Sequence, residues 1–114
     1  MNERITELLA QLTLHEKAAL CTGATSWTTV AVERAGLKPI TMADGPHGLR
    51  RSVDLTSMIT GSIPATCFPV AAALAASWDT DLLHEMGQAL ADECIALDVD
   101  IVLGPGMNIK RSPL

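Results

Sequence analysis

The sequence predicts an α/β fold with parallel strands, and three observations lead to this prediction. Residues 37–43 and 99–103 are short apolar runs that soon meet a glycine and a proline, as expected of buried strands that run into loops. A long helix between them begins at Ser77 or Asp79 and extends through Leu97, with leucine and methionine recurring on one face. Strand, helix and strand in this order favour parallel pairing through a right-handed crossover.

Two helices are predicted before the first strand. Leucine and isoleucine recur at helical spacing over residues 2–12, which indicates a first amphipathic helix. Thr13 and Glu16 have the spacing of a capping box, so a second helix is expected over residues 14–22. Gly23 would end that helix.

The middle of the chain is less regular. A short helical turn is expected over residues 30–35, and residues 51–66 form a long polar loop of the kind that carries function. Residues 70–76 are apolar throughout and fit either a buried strand or a buried helical turn. We expect a short strand there. The acidic residues of the long helix that follows are expected to form a solvated face.

The candidate site is the loop after the first predicted strand, where Asp-Gly-Pro-His-Gly-Leu-Arg occupies residues 44–50. Asp44 would lie at the carboxyl end of the strand, which is where parallel α/β folds bind ligands. Gly45 and Gly48 permit backbone angles that are closed to other residues. Asp44 and Arg50 on such a loop could both hydrogen-bond a polyhydroxylated ligand. The alternative is that Asp44 only makes a turn onto its own backbone.

Composition excludes several classes of protein. The chain has 114 residues, of which 48% are apolar, so it can form a folded core and is not expected to be disordered. Its net charge of -5 argues against nucleic acid and anionic membranes as partners. No apolar run approaches the roughly 20 residues that span a bilayer. The first five residues lack the pattern of a signal peptide, which favours a cytoplasmic location.

The residue types that bind metals are present without the spacing of a metal site. Cys21, Cys67 and Cys94 are odd in number and far apart, so they are interpreted as small buried thiols and not as disulfides or zinc ligands. The three histidines share no metal-ligand spacing either. We therefore expect no metal and no cofactor.

Four segments, in this order, resemble the family 3 glycoside hydrolases, the β-glucosidase group. The first is Leu-Thr-Leu-His-Glu-Lys at residues 12–17, and the second is Ala-Asp-Gly-Pro-His-Gly-Leu-Arg at residues 43–50. The third is Ala-Thr-Cys-Phe-Pro at residues 65–69, which continues to Ala-Ala-Ser-Trp-Asp at residues 75–79. The fourth is Leu-Gly-Pro-Gly-Met-Asn-Ile-Lys-Arg-Ser-Pro-Leu at residues 103–114. The resemblance covers nearly the whole chain.

This resemblance implies a fold, an activity and two site residues. The fold would be the N-terminal portion of a (β/α)8 TIM-type barrel, incomplete because such a barrel needs about 250 residues. The activity would be retaining removal of terminal non-reducing β-D-glucosyl residues from β-glucosides or oligosaccharides. Asp44 matches the family's aspartate that binds hydroxyls of the terminal sugar, and Arg50 matches the arginine that supports the same subsite. Arg111 lies in a matching motif, but it is not carried over as a substrate-binding residue.

The catalytic carboxylates are not in this chain if the resemblance holds. The family's nucleophile and its acid/base follow later, so no catalytic residue is assigned and the chain alone is expected to be inactive. It would need the remainder of the barrel, or self-association, to cover its sheet edge. Two other functions stay open, a free-standing carbohydrate-binding or interaction module and a non-functional remnant. Scarce aromatics count against the module, and Trp27 either stacks on a sugar face or anchors its loop on the core.

Overall fold

Two parallel strands and the crossover between them form the centre of the structure, a computed structural model that describes residues 2–106. Strand β1 comprises Met42–Asp44 and strand β2 comprises Ile101–Leu103. They pair in parallel, with Asp44 opposite Leu103 at their carboxyl ends. The crossover contains a short helix α3, Ala71–Ala76, and a long helix α4, Thr80–Ala96. The predicted α/β class with parallel pairing is confirmed.

Two helices and a short 3-10 turn precede the sheet, close to where the sequence predicts them. Helix α1 comprises Glu3–Gln11, and the Asn2 side chain caps it by accepting a hydrogen bond from Arg4 N at 3.0 Å. Helix α2 comprises Leu14–Leu20, so it ends two residues before the predicted position, and the prediction that Gly23 ends it is wrong because Cys21 is its C-cap. The 3-10 turn comprises Glu33–Ala35.

Arg34 in the 3-10 turn ties this N-terminal part together. The predicted capping box is present, because Thr13 Oγ1 accepts from Glu16 N at 3.2 Å and Glu16 Oε2 accepts from Thr13 N at 2.8 Å. Arg34 Nε donates to Glu16 Oε1 at 2.7 Å, and Arg34 Nη2 donates to Gln11 O at 2.9 Å. The hydrogen bonds from Arg34, and then those from Thr13, lower the pKa of Glu16 to about 2.

The core lies between the sheet and α4. Its buried members come from β1, the loop after it, α4 and the approach to β2: Ala43, Leu49, Leu90, Cys94 and Val99. Phe68, Leu97 and Val102 pack around them and are partly buried. The core is mostly aliphatic, with Phe68 packed against it, as the scarcity of aromatic residues predicts.

The prediction of a strand over residues 70–76 is wrong, because this segment is helix α3. Six of its residues are Ala-Ala-Ala-Leu-Ala-Ala, and alanine has the highest helix propensity and little side chain to pack in a sheet. Only Leu74 is buried, so the segment is not a central strand.

The two observed strands are shorter than the predicted runs, 37–43 and 99–103. Before β1, Leu37 N donates to Val32 O at 3.1 Å, and Pro39 has no N–H to donate to a neighbouring strand. Before β2, Val99 N donates to Cys94 O at 2.9 Å, which extends the end of α4. The backbone N–H groups that would extend the hydrogen-bonded pairing of β1 and β2 are therefore used in local turns.

Helix α4 is capped at its N-terminus by Asp79, one of the two predicted caps. Asp79 Oδ1 accepts hydrogen bonds from Asp81 N and Leu82 N, both at 3.0 Å. Leu90 and Cys94 on this helix are buried, whereas Leu82 is 44% exposed. The expectation that the three cysteines are buried holds for Cys94 and is wrong for Cys21 and Cys67, which are exposed.

Much apolar surface remains uncovered. Ile95 is 76% exposed, and Ile101 and Leu103 on β2 are 44% and 48% exposed. The radius of gyration is 17.3 Å, compared with about 13 Å for a compact domain of this length. Among residues 2–106, no helix combines the length and the apolar character needed to cross a bilayer.

Replacing Glu16 with glutamine should lower the thermal unfolding midpoint at pH 7, and the loss should shrink as the pH falls. The folded pKa of Glu16, about 2, lies below the ordinary value of 4.5. Ionised Glu16 therefore stabilises fully above pH 4.5, and this contribution is lost as the pH falls toward 2. Circular dichroism melts of wild type and E16Q at about pH 7 and 5, above this range, and at about pH 4 and 3, within it, check the prediction.

The matched control is Glu7→Gln, because Glu7 is exposed on α1. The thermal unfolding midpoint of E7Q should equal that of wild type at every pH. A gap between wild type and E16Q that stays constant over this pH range would contradict the assignment of Glu16.

Candidate functional site

Asp44 and Arg50 lie side by side at the carboxyl end of β1. Arg50 N donates to Asp44 O at 2.9 Å, so the segment of residues 44–50, here called the Asp44–Arg50 loop, closes on itself. Arg50 Nη1 lies 3.6 Å from Asp44 Oδ2, and the two side chains are 51% and 45% exposed. An ion pair this open contributes only about 0–1 kcal/mol to stability. Both groups therefore keep free hydrogen-bonding positions that face solvent.

The alternative role for Asp44, a turn onto its own backbone, is not observed. Within the part of the chain that the structure describes, its carboxylate accepts no N–H group of the loop, and its side-chain contact is the ion pair with Arg50. The loop holds its shape without this carboxylate, because Leu49 is buried at 4% exposure in the core.

The loop has room for no side chain at Gly45. Its φ is +125°, and a Cβ atom there would lie 2.1 Å from Gly48 O and 2.8 Å from Arg50 N. Both neighbours are backbone atoms, which cannot move without opening the loop. Glycine at this position is therefore a condition for bringing Arg50 back to Asp44.

The loops that follow the two strands touch each other. A Cβ atom on Gly104, just after β2, would lie 2.6 Å from Pro46 Cβ in the Asp44–Arg50 loop. Parallel pairing therefore brings both strand-end loops to the same edge of the sheet, as the sequence predicts.

The segment before α3 packs against the other side of the Asp44–Arg50 loop. Phe68 N donates to His47 O at 2.7 Å. An open cleft of about 300 Å³ lies between this segment and the Asp44–Arg50 loop, and it is lined by His47, Gly48, Leu49 and residues 62–67. Asp44 and Arg50 do not line this cleft. A second cleft of about 260 Å³ is apolar and lies between α4 and β2.

The structure also places residues whose roles the sequence left open. Trp27 is buried at 6% exposure and its Nε1 donates to Ser57 O at 2.9 Å, so it anchors its loop and does not present a free ring to a sugar. Arg51 Nε donates to Leu97 O at 3.2 Å, at the carboxyl end of α4. The carboxyl end of a helix carries partial negative charge and attracts a cation. The composition of the loop that contains Arg51 nevertheless does not indicate that Arg51 contacts α4.

The prediction that the acidic residues of α4 form a solvated face is wrong for Glu93. This side chain is partly buried, and its Oε1 accepts hydrogen bonds from Thr66 N and Thr66 Oγ1 at 3.0 and 2.6 Å. A sequence signal for this burial existed, because Glu93 lies one residue before buried Cys94 and three residues after buried Leu90 on the same helix.

Arg111 lies outside the described residues. Within residues 2–106, no three His, Cys, Asp or Glu side chains form a group that could hold a metal ion.

Comparison with known proteins gives one consistent result. The model of the family described as "Glycosyl hydrolase family 3 N terminal domain" matches residues 14–114. Over 112 residues the chain is 54% identical to thermostable beta-glucosidase B of Acetivibrio thermocellus, covering 96% of the chain and 15% of that protein. Over 117 residues it is 46% identical to an exo-alpha-(1->6)-L-arabinopyranosidase of Bifidobacterium longum, covering 100% of the chain and 16% of that protein.

A solved structure of a beta-glucosidase is also similar to this chain. The beta-glucosidase from Kluyveromyces marxianus, in complex with glucose, superposes with a TM-score of 0.85 at 34% identity, covering 96% of this chain and 13% of that one. The chain thus spans about one sixth of the length of the curated relatives it matches.

Replacing Gly45 with alanine should destabilise the protein far more than the same change at Gly36. Gly36 has a φ of +68° but open space around its Cβ position, so G36A should cost roughly 1–2 kcal/mol. G45A adds backbone overlap to an unfavourable φ and should cost at least about twice as much. Urea unfolding followed by circular dichroism measures both, and equal losses would contradict the geometry of the loop.

Proposed function

The chain belongs to glycosyl hydrolase family 3, and we propose that it is the N-terminal segment of a retaining, β-glucosidase-like enzyme. The enzyme would remove terminal non-reducing β-D-glucosyl residues from β-glucosides or oligosaccharides. The observation that carries the proposal is the exposed Asp44–Arg50 pair, held at the carboxyl end of a parallel strand in a chain of this family.

The pair suits a sugar chemically. A carboxylate has two acceptor oxygens, so Asp44 can accept hydrogen bonds from two neighbouring hydroxyl groups. Arg50 presents several N–H donors in a fixed plane, which can reach sugar oxygens while one of them faces Asp44 at 3.6 Å. Such hydrogen bonds involve a charged partner and are stronger than neutral ones. We therefore assign both residues to the subsite of the terminal sugar.

Neither residue is assigned to bond cleavage. Retaining hydrolysis needs a nucleophilic carboxylate and an acid/base carboxyl about 5–5.5 Å apart across the scissile bond. Asp44 faces an arginine and not a second carboxyl. We place the nucleophile and the acid/base outside this chain, so the role of its own residues is to bind and orient the sugar.

Uncovered surface supports the proposal that this chain forms the first part of a (β/α)8 barrel. Ile101 and Leu103 on β2 and Ile95 on α4 are large apolar side chains left exposed. Strands of a parallel sheet are normally covered on both faces. Further strands and helices of the same enzyme would cover them, in keeping with relatives that are about six times longer.

Glucose is the proposed sugar. The curated relative that is 54% identical is a beta-glucosidase, and the superposed beta-glucosidase holds glucose. The relative that is 46% identical is an arabinopyranosidase, so arabinopyranosides are the alternative substrates to compare.

Replacing Asp44 with alanine in the full-length enzyme should reduce kcat/KM for an aryl β-glucoside by roughly 10- to 150-fold. A hydrogen bond to a charged group is worth about 1.5–3 kcal/mol, and each 1.4 kcal/mol is about tenfold. R50K should also lose activity, because lysine lacks the planar donors of arginine, but the loss should be smaller because lysine keeps the positive charge. Steady-state kinetics on aryl β-glucosides and aryl α-L-arabinopyranosides measure the effect and the sugar preference.

Asp92→Asn is the control for Asp44, because Asp92 is an exposed aspartate within α4 and outside the Asp44–Arg50 loop. D92N should behave as wild type. Wild-type kinetics retained in D44A would refute the assignment of Asp44 to the subsite.

The purified 114-residue chain should hydrolyse no aryl β-glucoside, whereas the full-length enzyme should. The physical reason is that the two carboxylates of the reaction lie outside this chain in the proposal. A sensitive fluorogenic glucoside assay on both proteins, at matched concentration, checks this. Turnover by the 114-residue chain would refute the placement of the catalytic residues.

A further inference from the structure

A side-chain contact from α4 holds the segment that packs on the Asp44–Arg50 loop. Glu93 Oε1 accepts a hydrogen bond from Thr66 N at 3.0 Å and a second from Thr66 Oγ1 at 2.6 Å. The other oxygen, Glu93 Oε2, is buried and has no hydrogen-bond partner among the residues that the structure describes. Burial of an unpaired carboxyl oxygen costs free energy. The stability of α4 by itself therefore does not account for a glutamate at this position.

Thr66 in turn lies directly against the Asp44–Arg50 loop. A Cβ atom on Gly48 would lie 2.4 Å from Thr66 O, so the two backbones are in contact. Two residues further on, Phe68 N donates to His47 O at 2.7 Å. Thr66 and its neighbours therefore contact the middle of the loop, and the ends of that loop carry Asp44 and Arg50.

We propose that Glu93 is a positioning residue for sugar binding, which sets the Asp44–Arg50 loop through Thr66. The inference rests on the proposed function of that loop. Two donors of Thr66, its N–H and its O–H, converge on one carboxylate oxygen and fix the segment in both distance and direction. Hydrogen bonds to a carboxylate are shorter and stronger than those to an amide, which explains the use of glutamate despite its unpaired second oxygen.

The test uses the full-length enzyme and two substitutions of Thr66 that differ in one group. Thr66→Val removes the Oγ1 donor and keeps the shape, whereas Thr66→Ser restores a hydroxyl. T66V should raise both the Kd for glucose, measured by calorimetry, and KM for an aryl β-glucoside by about three- to tenfold, less than the loss in D44A, because the lost hydrogen bond to a charged group acts on the sugar only through the loop. T66S should stay within about twofold of wild type, since it keeps that bond.

Glu93→Gln should shift both constants in the same direction as T66V, because the two hydrogen bonds lose their charged acceptor. Glu85→Gln is the matched control, since Glu85 is an exposed glutamate on the same helix. E85Q should keep the wild-type constants. Equal shifts in E85Q and E93Q would overturn the inference, because helix charge and not the contact with Thr66 would then be responsible.

Two further outcomes separate this inference from the proposed function. If T66V and E93Q lower Tm but bind glucose as wild type does well below Tm, the contact is structural only and the inference is overturned while the proposed function stands. If the wild-type enzyme itself binds no glucose and hydrolyses no β-glucoside, the proposed function fails and the inference falls with it.

Discussion

The parallel pairing of β1 with β2 is the constraint on which the rest of the structure depends. Two strands that run in the same direction need a long connection, and here that connection supplies both α4 and the polar loop over residues 51–66. Pairing also brings both carboxyl ends to one edge of the sheet, where Gly104 meets Pro46. The candidate site is at that edge because backbone hydrogen bonds place it there.

Three supports keep the Asp44–Arg50 loop in shape, and each has a different physical basis. The hydrogen bond from Arg50 N to Asp44 O closes its base. Burial of Leu49 anchors it in the core, and backbone contact with residues 66–68 holds its outer side. The side chains of Asp44 and Arg50, the proposed sugar-binding residues, contribute little to this shape, since their ion pair is open to solvent. They are therefore free to bind a ligand without loss of the loop.

Most of the elements could be predicted from sequence because their signals are local. The capping box at Thr13 and Glu16, the cap at Asp79 and the turn at Gly45 and Gly48 act over a few residues, and each is found where the pattern places it. Strand lengths could not be predicted in this way, because they depend on which backbone partners the rest of the fold leaves free. At residues 70–76 the apolar pattern is compatible with both states, and the helix propensity of its alanines is the local signal that the strand prediction missed.

The sequence by itself determined the α/β class, the starts of α1, α2 and α4, and the motif that carries Asp44 and Arg50. These follow from periodicity, capping and the order of residues, which are properties of neighbouring positions. Only the tertiary structure decided that Trp27 is an anchor, that Arg51 binds the end of α4, and that Glu93 is bound to Thr66. Those contacts join residues 27 or more positions apart. No local pattern specifies such a contact, because it forms only after the crossover has folded back on the sheet.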